Sequence, residues 1–71
     1  MASEVLAPMT GKILKILVNV GDAVTADDEI IILEAMKMEH PILVDEDGTV
    51  KEIKVKAGDS VEADAVLAVI G

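Results

Sequence analysis

The sequence of 71 residues has no cysteine, no phenylalanine, tyrosine or tryptophan, a single histidine, and six basic side chains against fourteen acids. Without cysteine there is neither a disulfide nor a thiolate metal site, and one histidine cannot build a zinc cluster. Without aromatics there is no platform on which nucleobases stack and no aromatic anchor of the usual interface hot spot. A net charge of −8 opposes binding to nucleic acid or to anionic membrane surfaces. The apolar runs fall far short of the roughly 20 residues that span a bilayer, and MASEVLAPM lacks the basic start of a signal peptide, so membrane insertion is not expected. The expected location is the cytoplasm.

What is present is aliphatic: 52% of the residues are hydrophobic, nearly all Val, Ile, Leu and Ala. A chain this short forms one domain, residues 1–71, with a thin core, and needs a very regular fold to be stable.

That regularity is visible as a duplication. GKILKILVNVGDAVTADDEIIIL (11–33) aligns with GTVKEIKVKAGDSVEADAVLAVI (48–70) at an offset of 37, with eight of 23 columns identical. Val5 and Leu6 extend the match upstream to Ile42 and Leu43. The halves therefore run from about 5 to 33 and from about 42 to 70, joined by a hairpin over 34–40. Two copies are too few for a solenoid, which predicts one domain with approximate two-fold symmetry.

The duplication also resolves an ambiguity. KILKILV alone fits a helix, because Ile13, Leu14, Leu17 and Val18 fall at helical spacing. Its partner TVKEIKVKA alternates, with Ile53, Val55 and Ala57 on one side and Glu52, Lys54 and Lys56 on the other. Copies of one unit share a conformation, so both are strands and Leu17, aligned with Lys54, faces outward. Gly21-Asp22 and Gly58-Asp59 supply turns, and Asp47-Gly48 is a strong hairpin signal. Short β-branched strands with polar turns predict an all-β sandwich or flattened barrel.

Reflecting the chain about Lys37 sets Met36 opposite Met38, Ile32 opposite Ile42, Ile31 opposite Leu43 and Ile30 opposite Val44. A hairpin closing there, to within one residue of register, pairs apolar with apolar and leaves Lys37 at an exposed tip. A tight turn favours Asn, Asp or Gly, whereas this one offers Met and Lys. Breaches of local turn chemistry concentrate at functional or strained sites, which makes the tip amine the candidate functional group. The two-fold further requires the chain's start and end to meet, near Val5 and Ile70, at the end remote from Lys37.

The stretch EAMKM (34–38) resembles the attachment sequence of biotinyl domains, also called biotin carboxyl carrier domains, and the resemblance covers nearly the whole chain. LAPMTGKI is similar to that family's opening segment, and both V-x-x-G-D-x-V segments to its repeated turns. The resemblance implies a flattened β-barrel of two four-stranded antiparallel sheets with internal two-fold pseudo-symmetry. It implies that Lys37 carries biotin in amide linkage, that Met36 and Met38 favour the biotin ligase, and that Ala35 completes the tetrapeptide. Glu34, and by a weaker match Glu62, correspond to acidic positions implicated in ligase recognition.

The implied partners are a biotin protein ligase and the biotin carboxylase and carboxyltransferase, or decarboxylase, components of a biotin-dependent enzyme. The organelle matrix is the location implied for a eukaryotic member. The uninterrupted run from Gly11 to Gly21 resembles the type without a protruding thumb, and Thr10 stands where the family often has proline. Free lysine amines are almost wholly protonated at neutral pH, so activation for acyl transfer falls to the ligase. The chain itself is not expected to be an enzyme, because no nucleophile–base pair or metal cluster is evident.

Two other readings share the fold: a lipoyl carrier, whose sites usually read Asp-Lys-Ala, and an unmodified structural or adaptor domain. Taken alone, an exposed hairpin lysine is most often a solubilising edge charge, and two flanking methionines are ordinary packing. His40 is expected to be an ordinary strand residue. DEDG (45–48) lacks the spacing of a calcium loop and, like ADDE (26–29), is expected to be a solvated turn.

Overall fold

A computed structural model describes residues 3–71; Met1 and Ala2 lie outside the described residues. Eight strands follow one another: β1 (Ser3–Leu6), β2 (Gly11–Ile16), β3 (Ala23–Val24), β4 (Glu29–Ala35), β5 (Met38–Leu43), β6 (Gly48–Ile53), β7 (Ser60–Val61) and β8 (Val66–Ile70). They form two antiparallel four-stranded sheets, ordered β1-β8-β6-β3 and β5-β4-β2-β7. Adding 37 to the residue numbers of one half turns the order of one sheet into that of the other, so the expected two-fold is present.

The symmetry extends to individual hydrogen bonds. Asp64 N donates to Ala7 O and Asp27 N to Val44 O; Gly58 N donates to Ile13 O and Gly21 N to Val50 O. Ala26 N donates to Asp47 Oδ1 at 2.9 Å, and Ala63 N to the matching hydroxyl, Thr10 Oγ1, at 3.4 Å. Each Gly-Asp turn is closed by its own carboxylate: Asp22 Oδ2 accepts from Asn19 N, and Asp59 Oδ2 from Lys56 N, both at 2.9 Å. Gly21 and Gly58 both have φ of 96°, a conformation that glycine adopts without steric cost.

The core between the sheets is wholly aliphatic. Ile13, Ile30, Ile31, Leu33, Val44, Val50 and Leu67 are its most buried large side chains, and among the described residues no polar or charged side chain is buried. Strict alternation would turn one of the neighbours Ile30 and Ile31 outward, yet both are fully buried. The ladder shifts register between Glu29 and Ile31, and such a bulge lets consecutive residues face the same side. The β1–β8 ladder carries the matching irregularity, and Leu67 and Ala68 are both fully buried there. Leu17 is 48% exposed, as the repeat requires.

Three expectations are corrected. Asp47-Gly48 does not turn a hairpin: β5 pairs with β4, whereas β6 pairs with β3 and β8, so the segment crosses between sheets. Its residues serve packing instead. Asp47 accepts from Ala26, and a Cβ on Gly48 would lie 2.8 Å from Ile70 Cγ2. Ala57, placed with Ile53 and Val55 on the inner side, is exposed, because it lies beyond β6 in the turn. The third correction is the hairpin register, described with the site.

Ser3 pairs with Ile70 and Val5 with Ala68, so the two ends of the described chain run side by side. Ser3 Oγ also donates to Glu46 Oε1, beyond the end of β5 that is remote from Lys37. The molecule is elongated, 32 × 17 × 17 Å, and the seven residues of β4 alone extend about 20 Å along it.

Candidate functional site

The β4–β5 ladder pairs Ile31 with Ile42, Ile32 with Pro41, Leu33 with His40, Glu34 with Glu39 and Ala35 with Met38. The hairpin is therefore centred between Met36 and Lys37, and Met36 does not face Met38. Pairing Ala35 with Met38 leaves a two-residue turn of Met36 and Lys37. Both are left-handed, with φ of 53° and 64°. This is the backbone sign of the type I′ hairpin turn, which Asn and Gly normally occupy. A side chain bearing a Cβ costs about 1 kcal/mol or more in that region, so the tip holds two residues against their own preference.

The result is a projecting apex. Lys37 is exposed, and Met36 and Met38 are 79% and 62% exposed, among the most solvent-accessible large apolar side chains of the protein. Among the described residues the only ion pair joins Lys54 Nζ to Glu52 Oε2 at 2.8 Å, so the Lys37 amine is not held in one. The Glu52 carboxylate, through its hydrogen bond and its charge, raises the Lys54 amine above the ordinary lysine range.

Below the apex the hairpin has a tightly built neck. Ala35 is 5% exposed, and β2 passes directly beneath it at Gly11. A Cβ on Gly11 would overlap the Glu34 carbonyl oxygen and press within 3.2 Å of Ala35 Cβ. On the other side, His40 Nε2–H donates to the Ala35 carbonyl at 3.2 Å. His40 is a half-buried residue of β5, as expected a strand residue, and lies diagonal to Ala35 across the ladder.

The acids near the tip fall on one sheet. Glu34 is exposed, alternating with buried Leu33 and Ala35, and pairs with Glu39 on one side and Lys12 on the other. Lys12 pairs in turn with Ser60, two residues before the exposed Glu62. Glu34 and Ser60 thus lie two strand spacings, about 10 Å, apart on one sheet, and Glu62 follows just beyond β7 on the side toward the tip. Like charges directly opposite one another, as in Glu34 and Glu39, weaken a hairpin.

None of these tip residues lines the groove on the body of the domain. That groove, about 480 Å³, lies along β1, β5 and the segment after β5, lined by Val5, Leu6, Pro41, Leu43, Asp45 and Glu46 among others. A lysine exposed at a hairpin apex and outside that groove can enter another protein's active site. The residues therefore fit a covalently carried group joined through the amine.

Comparison with known proteins agrees with this geometry. Residues 3–70 match the family model described as biotin-requiring enzyme, of the biotin/lipoyl type. The chain is 52% identical over 62 residues to the biotin carboxyl carrier protein of Streptococcus mutans, covering 87% of this chain and 48% of that protein. It is 37% identical over 70 residues to a biotinylated protein, the TB7.3 homologue of Mycobacterium leprae, covering 99% of both. Among solved structures, the urea carboxylase of Kluyveromyces lactis superposes with a TM-score of 0.95 at 41% identity, covering all of this chain and 6% of that one. The chain spans about half the length of the first of these relatives and a small fraction of the carboxylase. It belongs to the biotin-requiring family of biotin/lipoyl attachment domains.

Proposed function

We propose that Lys37 is the residue through which this domain carries biotin. The observation that carries the reading is the placement of one exposed amine at the apex of a two-residue turn, flanked by exposed Met36 and Met38. The domain is a biotin carboxyl carrier, with biotin as its covalent cofactor and no catalytic machinery of its own. Bound at the amine, biotin supplies the ureido ring that takes up and gives back a carboxyl group.

The chain's own residues do four things. Lys37 offers its amine to the acyl carbon of an adenylated biotin brought by the ligase; the amide would form as the amine loses a proton and the acyl–phosphate bond breaks to release AMP. Met36 and Met38 give the ligase an apolar surface on each side of it. Glu34 and Glu62 give it two acids toward the tip, and Ala35 holds the neck. The rigid sandwich then keeps the tip within reach of two active sites, which replaces free encounter by a high effective concentration.

The partners of the reading are a biotin protein ligase and the carboxylase and carboxyl-accepting components of a biotin-dependent enzyme, working in the cytoplasm or an organelle matrix. The exposed methionine pair favours this over a lipoyl carrier, because enzymes that read similar folds must discriminate by contacts at the tip. Intact mass after co-expression with a biotin ligase is expected to show a single biotinyl increment, mapped to Lys37 in the peptide digest. Lys37→Arg is expected to abolish it while leaving thermal stability nearly unchanged. Label on Lys12, Lys15, Lys51, Lys54 or Lys56 instead would overturn the assignment.

A further inference from the structure

We propose that His40 is a positioning residue for the lysine turn: by bonding the Ala35 carbonyl, its ring holds Met36 and Lys37 in the conformation that presents the amine. The proposal rests on Lys37 being the attachment residue.

Three observations converge on it. First, the turn lacks the side-chain carboxylate that closes three other turns of the molecule. Asp22 and Asp59 close the Gly-Asp turns, and Asp28 Oδ2 accepts from Thr25 N at 2.9 Å in the turn that contains Asp27. Met36 and Lys37 are also left-handed but carry no side-chain oxygen to accept from a neighbouring amide, only the weakly accepting Met36 sulfur. Among the described residues, the His40 ring makes the only side-chain hydrogen bond to this turn.

Second, the bond meets the backbone where the turn begins. Ala35 is the last β4 residue before the turn, and its carbonyl group belongs to the peptide unit that leads into Met36. A carbonyl oxygen has two lone pairs, so the ring adds to the ladder's pairing and does not compete with it. His40 is anchored by its own pairing with Leu33, in an unbroken register running from Ile31–Ile42 to Ala35–Met38. The ring is planar and the residue half-buried, which suits a strut.

Third, the fold does not itself demand this residue. The two-fold maps His40 onto Ser3, whose hydroxyl turns to Glu46 and braces nothing of the kind. A residue that only completes the sandwich would be expected to serve alike in both copies. The carbonyl oxygen can only accept, so the ring donates this bond through Nε2–H.

The test uses apo protein, a biotin ligase, and the variants His40→Leu and His40→Gln. If the strut prepays the ordering of the turn, removing it lowers the fraction of competent tips, which raises KM for the carrier and leaves kcat alone. His40→Leu is expected to raise that KM about fivefold, the effect of one ordinary hydrogen bond. Amide hydrogen exchange at Lys37 and Met38 should quicken by a similar factor, and that at Ile31 and Leu67 by much less. His40→Gln, which restores a donor, should recover both values. Unchanged KM and tip exchange in His40→Leu would overturn the proposal. Failure of glutamine to rescue, or equal acceleration at tip and core, would assign the ring to packing and overturn it equally. Absence of label on wild-type Lys37 would remove the attachment reading, and the exchange measurements would still decide the strut.

Discussion

Asp27 and Asp64, which occupy the same position in the two halves, share the left-handed conformation, with φ of 73° and 70°. Each donates its amide across the sandwich, to Val44 O and to Ala7 O, both within 0.1 Å of the same length at 2.9 and 2.8 Å. Aspartate tolerates this region better than alanine does. Asp27→Ala and Asp64→Ala are therefore each expected to destabilise by about 1 kcal/mol, equally within error, in urea denaturation. Clearly unequal losses would break the equivalence. Asp28 is not matched in this way, since Ala65 stands at its counterpart and the bond to Thr25 has no image.

At the tip, stability and recognition are expected to pull apart. Met36→Asn places a residue suited to φ of 53° in the turn, and should raise the unfolding free energy by up to about 1 kcal/mol. The same change removes an exposed thioether beside Lys37 and should slow biotinylation. Chemical denaturation and ligase kinetics on one preparation read both effects. A variant less stable than wild type would show that the turn is not strained.

Gly11 and Gly48 offer a graded comparison. A Cβ at Gly11 meets the backbone oxygen of Glu34, which cannot move without opening the β2–β4 ladder. A Cβ at Gly48 meets first Ile70 Cγ2, a side-chain atom rather than backbone, with the Gly71 oxygen at 3.3 Å. Gly11→Ala is expected to cost about 2–3 kcal/mol and Gly48→Ala about half as much, by the overpacking rule. Only the former should also impair biotinylation, because only it disturbs the neck beneath Ala35.

The Lys54–Glu52 pair sets a chemical signature. The carboxylate raises the amine's pKa, so near pH 10 a smaller fraction of Lys54 is deprotonated and amine-acylating reagents should modify it slowly. Glu52→Gln should accelerate that modification, as measured by peptide mapping against time. In linkage terms, a raised pKa contributes stability that is present below the unfolded value and lost as pH climbs through the folded one. The pair is exposed, so the stability effect should be small.

Much of this architecture was legible in the residues because it was written twice. KILKILV fits a helix until TVKEIKVKA, its counterpart, forces the strand reading. The left-handed Met-Lys turn could be anticipated from the apolar arms that flank it and from its unsuitable turn residues. The half-residue shift of its centre could not, because Ile30, Ile31 and Ile32 match apolar partners in either register. The bulge after Glu29 that places Ile30 and Ile31 both inward is a tertiary choice. Asp47-Gly48 misled for a related reason: its local chemistry is that of a hairpin, but β6 finds its partners in the other sheet. His40 carried no signal at all. A lone histidine in a strand gains meaning only when the register sets its ring diagonal to Ala35.

The side-by-side pairing of β1 with β8 makes the domain a lever. Anything attached through Ser3 or Gly71 grips it at the end remote from Lys37, and the 32 Å length becomes the arm. Half a radian of rocking at that grip displaces the apex by about 16 Å, half the 32 Å length, with no internal hydrogen bond disturbed. Hinge stiffness, and not the elasticity of the β-structure, then governs how far the lysine travels. Stiffening the joint with prolines should shrink the volume the apex explores, while a glycine-rich joint should widen and dilute it.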